Sequence, residues 1–332
     1  MLRIEKICAP GSVSIAFLAC FLALGGSLWA QSAARRVTIG IGPGTLGHVP
    51  VILAKEKGFF REEGVDVEVI QIKAGLNVPA MMGGGLDYSG IIGIPINAAL
   101  QGVRFKVLMV SSSLAMDLMV QPGIESVQEL RGKRLAIDSF GVYSHTIAEE
   151  ILRRHNVNPR DTTFTAIGST PLRLAALQSR VVQATMLGVP YNFIAEELGF
   201  KRLVAAEDIV HLPQTGISAL ETKIQAAPEM VYRVVRGALK GLLYYRRNKE
   251  SSVAALMRSL NLKDARLAER IYNYSLKVFT DDGSIPVGFQ RQAIEESKRA
   301  TGTARDVPPE TIFDFQMVQH ARFELSSSGW RP

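Results

Sequence analysis

Cysteine is nearly absent from this sequence, and its absence limits the chemistry that the protein can perform. Of the 332 residues only two are cysteines, Cys8 and Cys20. The chain beyond them therefore has no disulfide framework, no cysteine nucleophile and no thiolate metal site. The five histidines are scattered without a short-range pair of ligands, so we predict neither a metal site nor a cofactor.

Dense runs of charge are also missing. The formal net charge is +7, but the basic residues are spread thinly and aromatic residues make up only 7% of the chain. A nucleic-acid site needs basic residues concentrated on one face, so we predict a solvated basic surface and no nucleic-acid partner. Hydrophobic residues make up 47% of the chain, which is enough for a sizeable core divided between two lobes.

The apolar run that does occur lies close to the N-terminus. Residues 13–24 are apolar, follow a short charged segment and precede small residues that end at Ala30. This order is typical of a secretory signal peptide, so we predict that residues 1–30 are removed and that the protein is periplasmic. Two alternatives stay open. One is an uncleaved membrane anchor, and the other is a lipid anchor on Cys20, since residues 18–20 loosely resemble the end of a lipobox despite Phe17.

A glycine-rich loop follows the first predicted strand. Residues 37–41 form that strand, residues 42–48 form the loop, and Pro50 suits the first turn of the helix behind it. Strands and helices then alternate, which predicts βαβ units and a largely parallel sheet. Because ligands bind outside the carboxyl ends of such strands, the loops at 42–48, 75–77 and 90–94 are expected to converge on one crevice.

The same pattern begins again near residue 117. A strand at 135–137 leads into a second glycine- and hydroxyl-bearing loop at 139–146, which opens a predicted helix at 147–155. Further strands are predicted at 163–167 and 182–187, and everything after residue 228 has the pattern of helices. The sequence therefore predicts an α/β protein of two units whose loops face each other.

Five segments carry a family pattern by their order and spacing. They are PVILAKEKGFF at 50–60, GLDY at 85–88, LRGKRLA at 130–136, LAALQSRVVQAT at 174–185 and IAEELGF at 194–200. Together they resemble the extracytoplasmic solute-binding proteins of ABC importers, in the NMT1/THI5-like and SsuA-like group that includes sulfonate, taurine, nitrate and thiamine-pyrimidine binders. The chain departs from that pattern at Arg180 and Gln183, which we interpret as a changed turn surface.

The resemblance implies a type II periplasmic-binding-protein fold with a hinge and a cleft between two α/β lobes. Lobe 1 is predicted to comprise residues 31–117 plus 221–332, and lobe 2 residues 118–220, with crossovers near 118–121 and 216–220. A small solute is expected to be captured by lobe closure and presented to an ABC permease in the inner membrane. The resemblance further implies a monomer that is not an enzyme.

Two other functions stay open. Related pyrimidine synthases have a similar fold, but they depend on a cysteine-rich segment, and this chain has no cysteine beyond Cys20. No Ser-His-Asp spacing or pair of carboxylates indicates a hydrolase either. A ligand-sensing partner of a receptor is the remaining alternative.

The predicted ligand-binding residues come from loops of both lobes. They are Thr45, Leu46, Gly47, His48, Ile92, Gly93, Phe140, Tyr143, Ser144, His145, Ser169, Thr170 and Pro190. The hydroxyl groups of Thr45, Ser144 and Thr170 either bind the ligand or cap helices. The ring of Tyr143 either stacks on a planar ligand or packs against its own helix.

The sequence leaves two roles open for each basic side chain that is predicted near the cleft. His48 and His145 occupy corresponding points of the two lobes, where they either bracket an anion or lie at caps and on the surface. Arg173 either complements an anion or is exposed to solvent, and we favour exposure. The expected solute is a small anionic or aromatic molecule.

Overall fold

Two five-stranded mixed sheets form the framework of the computed structural model, which describes residues 35–332. The predicted signal peptide, including Cys20, lies outside the described residues. The strands are β1 (Arg35–Ile41), β2 (Val65–Gln71), β3 (Tyr88–Ile91), β4 (Phe105–Ser113), β5 (Met116–Val120), β6 (Arg134–Ile137), β7 (Thr163–Ala166), β8 (Ala184–Gly188), β9 (Lys201–Ala205) and β10 (Pro213–Leu220).

Sheet 1 has the strand order β2-β1-β3-β10-β4, and sheet 2 has the order β7-β6-β8-β5-β9. In sheet 1, β1 runs parallel to β2 and β3. Its pairing with β2 extends from Arg35 opposite Val65 to Ile41 opposite Gln71. In each sheet one strand is antiparallel to both of its neighbours, β10 in sheet 1 and β5 in sheet 2. The sheets are therefore less parallel than the alternation of elements predicts, because these two strands belong to the crossovers and not to βαβ units.

Helices cover both sheets. They are α1 (Val49–Glu56), α2 (Phe59–Glu62), α3 (Ala74–Met82), α4 (Gly93–Leu100), α5 (Tyr143–Arg154), α6 (Thr170–Gln178), α7 (Tyr191–Glu197), α8 (Glu221–Ala226), α9 (Pro228–Arg247), α10 (Lys249–Ser259), α11 (Ala265–Val278), α12 (Val287–Thr301), α13 (Pro309–Ile312) and α14 (Gln316–Ser327). Within residues 35–332, none of these helices has the length and apolar character that crossing a membrane requires. Helix α5 begins four residues earlier than predicted, so Tyr143 lies in its first turn.

The chain passes between the sheets twice. It leaves sheet 1 after β4, crosses at residues 114–115 into β5, and returns through residues 206–212 into β10. The segments at 118–121 and 216–220, which we predicted as crossovers, lie largely within β5 and β10. The predicted lobe limits, 31–117 plus 221–332 and 118–220, stay predictions.

Two glycines allow α9 to lie very close to the first helices of the chain. A Cβ atom added to Gly241 would lie 2.7 Å from the Cβ of Ala54 and closer still to the carbonyl oxygen of Pro50. One added to Gly237 would lie 2.6 Å from the ring of Phe60. Residues four apart share one face of a helix, so these glycines form a flat strip against which α1 and α2 pack.

Gly241→Ala is expected to destabilise the protein by about 1–3 kcal/mol, because the added methyl group overpacks this contact. Alanine alone favours a helix over glycine by about 1 kcal/mol, so the expected sign is opposite to that of helix propensity. Gly288→Ala in α12 is the matched control, since nothing lies within 4 Å of its added Cβ. Urea unfolding of both variants measures the difference, and a Gly241→Ala variant as stable as the control would contradict the close packing.

Candidate ligand-binding cleft

A cavity of about 370 Å³ lies between the two sheets and takes its lining from both. Its wall combines polar and apolar side chains from the strand ends and helix starts. The lining residues are Gly42, Thr45, His48, Ala74, Ile91, Gly93, Ile94, Asn97, Met116, Asp138, Gly141, Val142, Tyr143, Ser144, Thr170, Arg173, Gln214, Thr215 and Ala300. Six of the predicted site residues are thus brought together: Thr45, His48, Gly93, Tyr143, Ser144 and Thr170.

Three helices begin at this cavity. Gly93, Tyr143 and Thr170 are the first residues of α4, α5 and α6, and all three line it. No side chain caps any of these helix starts with a hydrogen bond. The backbone N–H groups of a first helical turn have no partner within the helix, so the three starts offer donors and a partial positive charge to a bound group.

The three predicted hydroxyl groups are not helix caps. Thr45 precedes a 3-10 turn (Leu46–His48) and makes no capping hydrogen bond. The Oγ of Ser144 accepts a hydrogen bond from the backbone N–H of Asp138 at 2.9 Å, and the Oγ1 of Thr170 accepts one from Arg173 at 3.1 Å. Of the two predicted roles, capping is therefore wrong, and ligand binding stays a prediction.

His48 is buried and neutral. Its Nε2 accepts a hydrogen bond from the backbone N–H of Gly42 at 3.0 Å, which closes the glycine-rich loop on itself. Burial lowers the pKa of His48 to about 3, so the ring carries no charge near neutral pH. The accepting Nε2 places the ring proton on Nδ1, and that atom has no hydrogen-bond partner within residues 35–332.

His145 belongs to a different cavity. Its ring packs edge-on between Phe140 and Phe164 at 5.1 and 4.9 Å, and its Nδ1 accepts a hydrogen bond from Gly141. The neighbouring cavity of about 580 Å³ lies between α5 and α12 and is lined mainly by charged side chains. The two histidines therefore do not bracket one ligand. In the described part of the chain, no cluster of three or more His, Cys, Asp or Glu residues is arranged to hold a metal ion.

Tyr143 spans the cleft. Its ring rests on Gly93 of the opposite wall, where an added Cβ would lie 2.8 Å from the Cζ of Tyr143 and closer still to its hydroxyl group. Burial raises the pKa of Tyr143, and the nearby carboxylate of Glu296 adds to the effect. The tyrosine therefore stays protonated and packs across the cleft, not only against its own helix.

Arg173 is not exposed, contrary to our expectation. Its side chain is only 2% exposed, and its Nε donates to the carbonyl oxygen of Met186 at 3.1 Å. Its Nη1 donates to the carbonyl oxygen of Gly168 and lies 3.8 Å from the Oδ2 of Asp138. Burial lowers the pKa of Arg173, while Asp138 opposes that shift; the group stays cationic because an arginine pKa begins so high.

A hydroxyl network ties the glycine-rich loop to the strands that lead into the crossovers. Thr215 of β10 donates through Oγ1 to the carbonyl oxygen of Gly47 at 3.0 Å. Because that hydroxyl has one proton, Ser112 of β4 is the donor in the 2.7 Å contact between the two side chains. These hydrogen bonds therefore join one wall of the cavity to the strands beside the crossovers.

The remaining predicted site residues do not line the cavity. Leu46, Gly47 and Ile92 are buried behind it, and Phe140 is 62% exposed outside it. Ser169 and Pro190 are the residues before α6 and α7. Gly47 and Ile92 still support the wall through their backbones, since Ile92 donates to the carbonyl oxygen of Gln214 at 3.0 Å.

Comparison with known protein families shows to which family this chain belongs. The NMT1/THI5-like family model matches residues 45–252, which include both walls of the cleft except Gly42 and Ala300. The chain belongs to the NMT1/THI5-like family. Its predicted membership is thereby confirmed.

The curated relatives of this NMT1/THI5-like protein include an enzyme. The 4-amino-5-hydroxymethyl-2-methylpyrimidine phosphate synthase THI11 of Saccharomyces cerevisiae is 26% identical over 127 residues, 36% of this chain and 37% of the relative. The chain thus matches little more than a third of the length of that curated relative.

Solved structures share the fold over most of the chain. The periplasmic aliphatic sulphonate binding protein SsuA from Escherichia coli has a TM-score of 0.69 and 20% identity, covering 83% of this chain and 96% of that one. The periplasmic nitrate-binding protein NrtA from Synechocystis PCC 6803 has a TM-score of 0.71 and 14% identity, covering 88% and 89%. The predicted two-lobe type II binding-protein fold is confirmed.

Several lining residues of this NMT1/THI5-like protein were missed in the sequence. Asp138 directly follows β6 and Gly141 lies in the same loop, so the rule of carboxyl strand ends points to both. Met116 and Gln214 lie at the beginnings of antiparallel strands, which that rule passes over. Ala300 reaches the cavity from α12 at the other end of the chain, and no local signal marks it.

Proposed function

We propose that this protein is the extracytoplasmic solute-binding component of an ABC importer and that it captures one small molecule by lobe closure. The observation that carries the proposal is a cavity of about 370 Å³ whose walls come from both sheets and at which three uncapped helices begin. A pocket enclosed from two sides and lined by few convergent polar groups suits a small ligand.

The lining favours a solute with an acidic group and an apolar or planar part. The N–H groups at the starts of α4, α5 and α6 are suited to oxygen atoms of a carboxylate, sulfonate or phosphate. Ile91, Ile94 and Tyr143 supply apolar surface beside them. Among the predicted anionic and aromatic solutes, a molecule that combines both properties uses the whole cavity.

Ion pairs between helices on opposite sides are suited to reversible closure. Arg299 of α12 lies 3.6 Å from Glu150 of α5, and on the side of the crossovers Arg270 of α11 contacts Glu196 and Glu197 of α7 at 3.0 Å each. Ion pairs that water reaches contribute about 0–1 kcal/mol each. These pairs therefore hold the lobes together weakly, so that a bound solute can shift the balance between open and closed forms.

Export and membrane partners belong to the same proposal. The predicted signal peptide at residues 1–30 directs the protein to the periplasm, with the lipid anchor on Cys20 as the alternative. A monomer that closes on its solute then docks on an ABC permease. The intact mass of the exported protein distinguishes cleavage after residue 30 from a retained leader or an added lipid.

An enzyme of the same fold is the second candidate, and the similarity to the yeast pyrimidine phosphate synthase favours it. Turnover distinguishes the two functions, because a binding component returns its solute unchanged. Mass spectrometry of a bound solute after prolonged incubation with the protein is expected to recover the starting compound. Recovery of a stoichiometric or greater amount of product would favour the enzyme.

Ligand binding is tested with thermal unfolding and calorimetry of the purified protein. The panel contains alkyl and aromatic sulfonates and carboxylates, nitrate, and pyrimidine phosphates. A solute present at 100 times its dissociation constant stabilises the folded state by about 2.7 kcal/mol, which raises Tm by roughly 4 °C for a chain of this size. If no compound raises Tm, and small-angle scattering shows no compaction, the proposed function is rejected.

A further inference from the structure

The charges at the cavity wall are distributed unequally between surface and interior. Among the described lining residues, Asp138 and Arg173 carry the formal charges, since His48 is neutral. The side chain of Asp138 is 54% exposed, whereas that of Arg173 is 2% exposed. A solute that enters the cavity therefore meets the carboxylate more directly than the guanidinium group.

Arg173 uses its donors within its own lobe. Three nitrogen atoms donate to the carbonyl oxygen atoms of Met186 and Gly168 and to the hydroxyl group of Thr170. These acceptors hold the strand end of β8 and the loop before α6 together. The guanidinium group is thus a fixed part of the wall beside the start of α6.

The carboxylate of Asp138 lacks a donor of its own. It forms an ion pair with Arg173 at 3.8 Å, a distance longer than that of a hydrogen bond. The hydrogen bond between Asp138 and Ser144 involves the backbone N–H of Asp138 and not its carboxylate. Within residues 35–332, no hydrogen bond reaches either carboxylate oxygen, although the side chain faces a cavity built from ordered strand ends.

We infer that the solute carries a protonated amine or another N–H⁺ group that binds Asp138, in addition to the acidic group that binds the helix starts. This inference rests on the proposed function and narrows its substrate class to small zwitterions. A plain anion would bring a like charge close to Asp138, which disfavours binding in a partly desolvated site. A protonated nitrogen converts that repulsion into a charge-assisted hydrogen bond.

Matched pairs of probes test the inference on the purified protein. Each pair differs by one amine: 3-aminopropanesulfonate against propanesulfonate, and 4-(aminomethyl)benzoate against 4-methylbenzoate. The amine-bearing member is expected to bind about 10- to 100-fold more tightly, the range of a hydrogen bond between charged groups. Isothermal titration calorimetry measures both members.

Asp138→Asn removes the charge with little change in shape. It is expected to abolish the preference, because the amine-bearing probes weaken while the plain acids bind as before or more tightly. Asp138→Glu is expected to keep the preference, which guards against a folding defect in the asparagine variant. Asp306→Asn, at a side chain that is 96% exposed, is the matched control and is expected to change neither affinity.

The outcomes separate this inference from the proposed function. If plain acids bind wild-type protein as tightly as their amine-bearing partners, and Asp138→Asn changes neither, the zwitterion inference is wrong while the binding function stands. If no pair and no other compound of the panel binds, both are rejected. A preference for the amine that survives in Asp138→Asn would show that another group recognises the nitrogen, and this too would overturn the assignment to Asp138.

Discussion

Gly93→Val is expected to weaken solute binding by up to about 100-fold while the protein stays folded. The ring of Tyr143 lies on Gly93 across the cleft, and an added Cβ would overlap it. Overpacking of this kind costs up to about 3 kcal/mol. In the proposed open form the two residues are apart, so the cost falls on the closed form alone. Affinity then decreases in proportion to the fraction of molecules that can close. Calorimetry with a solute found in the panel measures the loss.

Two further variants identify the cause of that loss. Gly288→Val, at a position where an added Cβ meets nothing within 4 Å, is expected to bind like wild type. Tyr143→Ala in the Gly93→Val background removes the overlapping ring and is expected to restore compaction in small-angle scattering, even if the missing ring lowers affinity. If Gly93→Val binds normally, the contact with Tyr143 is not part of the solute-bound state.

The sequence pattern was sufficient to predict where the cleft lies. Loops after parallel strands meet at one edge of a sheet, and this topological rule predicts Thr45, Gly93 and Thr170 in the wall without any knowledge of packing. Pro50 and the glycine-rich loop likewise marked the start of α1, where proline occupies the first turn. These features are local, because turn chemistry and strand direction depend on neighbours in the sequence.

The roles of individual side chains depended on distant parts of the chain. His48 is buried, and its loss of charge follows from packing that residues 42–48 do not encode. Arg173 was expected on a solvated helix face, but β8 supplies a carbonyl oxygen that holds it inside. Phe140 was expected in the cleft, but its side chain is exposed in the loop before α5. Helix boundaries are uncertain by a few residues when they are predicted from sequence, and the earlier start of α5 places Tyr143 and Ser144 in a helix and not in a loop.

The cleft is also connected by hydrogen bonds to the strands beside the crossovers. Thr215 and Ser112 lie on the two strands that enter and leave sheet 1, and Thr215 holds the glycine-rich loop through Gly47. In the proposed function, a solute that orders this loop would act on the same strands that lead into the crossovers, so these hydrogen bonds are expected to link binding to closure.

Arg173→Met is expected to lower the free energy of unfolding by about 3–5 kcal/mol and to weaken binding as well. The methionine keeps much of the apolar stem, but the carbonyl oxygen atoms of Gly168 and Met186 lose their donor in a buried site, and Asp138 loses its nearest cation. Removal of one partner from a buried charged group is costly for this reason.

Arg173→Lys separates the charge of Arg173 from its geometry. Lysine restores the charge but cannot reproduce a planar fork that reaches three acceptors, so an intermediate stability is expected. Arg160→Met, at an exposed position of the same lobe, is expected to change stability by less than about 0.5 kcal/mol. Urea unfolding ranks the three variants. If Arg173→Met were as stable as Arg160→Met, the guanidinium group would not hold the loop before α6, and its part in the binding wall would need a ligand contact to explain it.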